Sequence, residues 1–159
     1  DKSEEAITYK PLSNITSRQL ELFQLEKSYW EKKGINWKLL TDNDIPKSKM
    51  YLQNYVDIYH SVGFFHNNGV STEEVSSFYQ NLQQSFKEYS NEGVADYCSY
   101  TDVQNNLEQG TSLRILKILI GKQLITTDLK RNIFSNESKL GLLTILENVK
   151  NINKSDLAA

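Results

Sequence analysis

The sequence predicts an all-α fold, a compact bundle of about six or seven helices with a central helical hairpin. Three observations predict it. Apolar residues recur at helical spacing along most of the 159 residues, and two of those runs follow a Ser or Thr with Gln or Glu three positions on. Two prolines and seven glycines are too few to punctuate a many-stranded β fold. Hydrophobic residues at 38% and charged residues at 24% give a globular composition, and a single domain of this length needs no disulfide or metal to hold it.

Residues 1–15 are expected to form an extended N-terminal segment, residues 16–152 one helical domain and residues 153–159 a flexible tail, in part vector-derived. Thr16 and Gln19 open the first helix with a capping box, Leu20, Leu22, Phe23, Leu25, Tyr29 and Trp30 give it a broad apolar face, and Gly34 stops it. Ile35 to Leu40 reads as a short apolar connector holding Trp37. After the turn marked by Asp42, Asn43, Asp44 and Pro46, a second helix has Leu52, Tyr55, Val56, Tyr59 and Val62 at helical spacing, continued by Phe65. Asn67-Asn68-Gly69 ends it, because Asn and Gly tolerate the left-handed backbone of helix termini.

Ser71 and Glu74 form another capping box, and Val75, Phe78, Tyr79, Leu82, Phe86 and Tyr89 stripe a third helix. These two helices are the expected hairpin from Met50 to Tyr89. A weaker helix holds Val94, Tyr97, Cys98, Val103 and Leu107 before Gly110. Thr111 to Ile120 is apolar enough to be the most buried element. A short helix from Thr127 to Phe134 and a last one with Leu140, Leu143, Leu146 and Val149 inward complete the bundle.

The chain carries a net charge of −2, which argues against a dedicated nucleic-acid binder. It begins at Asp1 and reads as a fragment or processed product; no run approaches the roughly 20 apolar residues of a membrane span. Charge is segregated: residues 70–109 hold seven acids against Lys87, whereas residues 111–131 hold five cations against Asp128. Adjacent segments of opposite sign neutralise each other on the folded surface, or they leave a polarised surface that docks a charged partner.

Catalytic patterns are sparse. There is no glycine-rich phosphate loop, paired-cysteine zinc pattern or Gly-x-Ser-x-Gly elbow, and no cofactor is expected. Asp57 and His60, three positions apart on one helix, together with His66 could supply metal ligands or an acid–base pair, against the plainer reading of helix-surface residues. Cys98, with Asp96 and Asp102 nearby, reads as a buried structural thiol. Nine tyrosines are unusual; Tyr51, Tyr55 and Tyr59 lie four apart on one helix, where they pack the core or form a protein-binding face with Glu73 and Glu74.

The run from Leu52 to Gly63, Leu-Gln-Asn-Tyr-Val-Asp-Ile-Tyr-His-Ser-Val-Gly, and its continuation Phe64 to Val75 resemble the helical hairpin of an uncharacterised bacterial family. Its members carry a transmembrane helix ahead of a cytoplasmic helical domain. The resemblance implies a bacterial, membrane-tethered protein in the cytoplasm, touching the membrane only through a segment outside this chain, and it carries over no catalytic residues. The expected function is a non-catalytic protein-interaction module that binds and regulates a protein partner, as a tethered regulatory domain or an immunity-type inhibitor. A metal-dependent hydrolase built on Asp57, His60 and His66 is the alternative.

Overall fold

The stretch expected to lie along the surface and the apolar connector around Trp37 pair with each other. The computed structural model describes residues 4–67 and 69–146, which fall into two compact units, Asp1–Lys47 and Ser48–Ala159. In the first unit, strand β1 (Glu5–Tyr9) runs parallel to β2 (Asn36–Leu40), with Glu5 opposite Asn36 and Tyr9 opposite Leu40. Helix α1 (Ser17–Lys32) makes the crossover that parallel strands require. Thr16 caps it as predicted, accepting from the Gln19 N–H at 3.4 Å.

One face of this strand pair meets α1. Ala6, Thr8, Trp37 and Leu39 alternate onto it, and Gln19, Phe23, Glu26 and Trp30 of α1 are the helix residues withdrawn from solvent. Ile7 and Tyr9 point the other way and are 56% and 50% exposed. On α1 itself Leu22, Leu25 and Tyr29 are exposed, so the apolar face read from the sequence is wider than the face that is covered.

The second unit is built round α5 (Thr111–Gly121), against which α2 (Lys49–His66), α3 (Thr72–Ser85) and α4 (Val94–Gln104) pack. Ile115, Leu116, Ile118 and Leu119 are fully buried, as its composition predicted. The centre is therefore α5 and not the α2–α3 hairpin, since both of those helices pack on α5 more than on each other. The capping box of α3 is complete: the Ser71 N–H donates to Glu74 at 2.7 Å and the Glu74 N–H to Ser71 at 3.1 Å. Gly121 lets α2 come close, because a Cβ there would lie 2.6 Å from a Val62 methyl and 2.9 Å from one of Ile58.

No bundle of six or seven helices forms. The described residues hold five α-helices, two 3-10 turns and four strands, a mixed α/β fold. The expected helix from Thr127 to Phe134 is irregular chain, pinned by the Asn54 amide, which donates to the carbonyls of Leu129 (2.9 Å) and Arg131 (2.7 Å). The expected last helix is replaced by a 3-10 turn (Leu140–Leu142) and strand β4 (Thr144–Ile145), antiparallel to β3 (Ile125–Thr126). Backbone bonds from Val94 to Ser138, Leu140 to Glu92 and Gly141 to Ser90, at 2.8–2.9 Å, hold this return in place. Leu140 and Leu143 are buried as expected, although not from a helix; Val149 and the tail at 153–159 lie outside the described residues.

Candidate functional site

In the first unit the strand–helix seam opens into a cleft of about 540 Å³ lined by Glu4, Glu5, Thr8, Glu26, Trp30 and Ile35. Three carboxylates in one cleft of a fold this small are an unusual concentration of negative charge. Glu26 is held in place by a relay: the Trp37 indole N–H donates to Thr8 Oγ1 at 3.2 Å, and the Thr8 hydroxyl donates to Glu26 Oε1 at 2.7 Å. Glu5 accepts from the Asn36 amide across the strand pair at 3.4 Å. Two residues beyond Thr8 on the same side of the strand, Lys10 anchors its backbone to Leu40 (2.9 Å) and its ammonium lies 3.1 Å from the Gln19 side-chain amide. Carboxylates and an amine thus share one strand–helix seam, with Glu5 and Glu26 each positioned by a neutral hydrogen-bonding partner.

Sequence reasoning did not single out Thr8, Lys10, Glu26 or Trp37 as a constellation. The available signal was Glu26 itself, an acid at helical spacing between Phe23 and Trp30 on the covered face of α1. An acid in an apolar stripe needs a partner, and Thr8 is that partner.

In the second unit the predicted site residues are not brought together. Asp57 pairs with Lys117 Nζ at 3.3 Å, His60 is exposed beside Tyr59, and His66 is the last residue of α2, 3.2 Å from Lys122 Nζ. Among the described residues no three His, Cys, Asp or Glu side chains form a group that could hold a metal. Tyr51 is half-buried, while Tyr55 and Tyr59 are 54% and 67% exposed. Glu74 is engaged in the α3 cap and Glu73 is exposed beside it.

The face of α2 turned to the core is Asn54, Ile58 and Ser61, with Val62 and Phe65 half-buried beside it, and not Leu52, Tyr55, Val56 and Tyr59. Polar groups can occupy that stripe because they are satisfied: Asn54 bonds two carbonyls, and the Ser61 hydroxyl donates to the Asp57 carbonyl at 2.8 Å. Nearby, buried Asp102 accepts the N–H groups of Gly110 and Ser112, each at 2.7 Å, and so caps α5 from outside the helix. Cys98 is buried, and that burial, reinforced by Asp102, pushes its thiol up to about 12, which removes it as a nucleophile.

Comparison with known proteins adds what the geometry leaves open. Residues 44–129 match the protein family described as TnsA endonuclease C terminal. The Transposon Tn7 transposition protein TnsA of Escherichia coli is 27% identical over 137 residues, covering 83% of this chain and 46% of that protein. The chain therefore spans less than half the length of this relative. The aligned stretch is longer than the second unit and reaches into the first.

These matches overturn several expectations. The resemblance to a membrane-tethered helical family is set aside, and no helix among the described residues is long and apolar enough to cross a membrane. A non-catalytic module that regulates a protein partner is replaced by kinship with an endonuclease, and with it goes the exclusion of nucleic acid as a partner. Net charge carries little weight on this point because it averages over segments of opposite sign.

Proposed function

Because this chain belongs to the TnsA endonuclease C-terminal family, we propose that it takes part in cutting DNA during transposition. One observation carries the proposal: the likeness to a transposition protein extends past the family's own residues into the unit that holds the carboxylate-lined cleft. In this reading the first unit contributes to the cleavage centre, and the second unit belongs to the DNA-handling part of the same protein.

The chemistry follows from the seam. Phosphodiester hydrolysis needs a group to take a proton from water as its oxygen attacks phosphorus, and positive charge where the phosphorane gathers negative charge. Glu26, with one oxygen fixed by Thr8, is oriented to act as the base. Lys10, on the same strand face, supplies the cation. The bond from phosphorus to the leaving deoxyribose oxygen breaks, and that oxygen leaves with a proton from solvent.

The test is a strand-cleavage assay on the full-length protein with Glu26→Gln and Lys10→Met. Each is expected to lower cleavage by about a hundredfold or more while duplex binding persists. Cleavage at the unsubstituted rate in both variants would remove this seam from the reaction.

A further inference from the structure

The charge segregation of the sequence survives folding. Among the described residues the ion pairs are Lys27–Glu31, Lys117–Asp57 and Arg131–Asp128, and none of these joins the acids of residues 70–109 to the cations of residues 111–131. Helices α2 and α5 between them carry one acid, Asp57, against Lys49, Arg114 and Lys117, in a chain whose net charge is −2.

The arrangement along α2 is ordered. At 100° per residue Gln53, Asp57, His60 and Phe64 form one stripe flanking the buried face. Near its start, Asn54 pins the turn that carries exposed Lys130 beside the Arg131–Asp128 pair. In the middle, Lys117 is satisfied by Asp57 and lies over the Phe134 ring at 4.8 Å, a neutral spine. Near its end, the Arg114 guanidinium stacks on Phe64 at 4.2 Å. A stacked guanidinium is held by its face and keeps in-plane N–H donors for an oxyanion.

We propose that the α2–α5 seam, from Lys130 at one end to Arg114 at the other, docks on the phosphate backbone of duplex DNA. Asn54 to Phe64 spans about 15 Å along the helix, a length over which each strand of a duplex advances about four phosphates along the duplex axis. Cations at both ends of that length, with the seam's own acids Asp57 and Asp128 taken up by Lys117 and Arg131, match a polyanion that has a regular repeat. The inference rests on the reading that this protein acts on DNA and adds where the duplex lies. The contacts are to backbone, so they position DNA without reading its sequence.

The experiment measures affinity of the full-length protein for unrelated duplex oligonucleotides across a salt series. Arg114→Gln, and separately Lys130→Gln, are each expected to weaken binding about three- to tenfold and to flatten the salt slope by about 0.9 for each phosphate no longer neutralised. Lys87→Gln, a cation within the acidic segment, serves as the control and should change neither. Lys130 lies on an exposed turn, so its variant remains informative if removing the Arg114–Phe64 stack unfolds the protein. Duplex binding with unchanged affinity and slope in both variants would overturn the seam while leaving the proposed role in cleavage standing. Failure of the unsubstituted protein to bind duplex at low salt, or capture of a polyglutamate probe in its place, would overturn both. Loss of cleavage with normal binding in the Glu26 variant, alongside weakened binding in the Arg114 and Lys130 variants, would support each reading separately.

Discussion

Asn54 offers the sharpest test of how the second unit is held together. Its side chain is buried, and its amide nitrogen donates to the carbonyls of both Leu129 and Arg131, 75 and 77 residues away. Asn54→Asp keeps the shape and replaces a donor by an acceptor facing two other acceptors. Two hydrogen bonds at about 1 kcal/mol each are lost, and the Leu129 carbonyl is left facing an acceptor, which adds about 1–3 kcal/mol, so a total near 3–5 kcal/mol is expected. The Arg131 carbonyl keeps the Ile133 N–H at 3.0 Å. Asn54→Ala also loses both bonds but leaves room for water, and should cost less, about 2–3 kcal/mol. Urea denaturation followed by far-UV circular dichroism measures the loss; both tryptophans lie in the first unit, so tyrosine emission is the fluorescence signal that reports the second. A cost below about 1 kcal/mol for Asn54→Asp would refute the claim that this amide closes the unit.

Other expectations follow from the same contacts. Gly121→Ala drives a methyl into Val62 and Ile58 and should lower stability by about 1–3 kcal/mol, seen as a shifted urea midpoint. Ser71→Ala removes one arm of the α3 capping box and should cost about 1 kcal/mol. The Cys98 thiol, raised by burial and Asp102, ionises only near pH 12 when folded but near pH 9 when unfolded. The stability linked to it is therefore intact below pH 9 and is lost as pH rises above that value, by about 1.4 kcal/mol at pH 10. Cys98→Ala should remove that part of the alkaline slope, and equal slopes in both proteins would count against it.

Local signals in this sequence were legible and long-range ones were not. Thr16, Ser71 and Glu74 announced helix starts because capping is a contact over three residues. The composition of residues 111–121 announced the central helix because four fully buried aliphatic residues leave little room for another reading. The strands escaped notice for a physical reason. In β1 the larger apolar residues, Ile7 and Tyr9, occupy the uncovered face, while Ala6 and Thr8 face α1, so no alternation of apolar and polar marks the strand. The rotation of α2 was hidden likewise, since Asn54 and Ser61 face inward only because carbonyls far away in sequence or one turn back accept their protons. The candidate cleft shared that obscurity: Glu26 meets Thr8 across 18 residues, and only the parallel pairing of β1 with β2 brings Trp37 to the same hydroxyl.

The return of residues 138–146 bears on how the protein is made. Leu140 and Leu143 are buried in the core that α5 organises, and the Tyr79 hydroxyl donates to the Leu146 carbonyl at 2.8 Å across 67 residues. A ribosome emits the chain from its N-terminus, so α2 to α5 emerge while the pieces that seal them are still being synthesised. Until those pieces arrive, the apolar core that Leu140 and Leu143 complete stays open to water or to a chaperone. Slow translation through residues 122–146 would lengthen that interval, making codon choice there a determinant of yield.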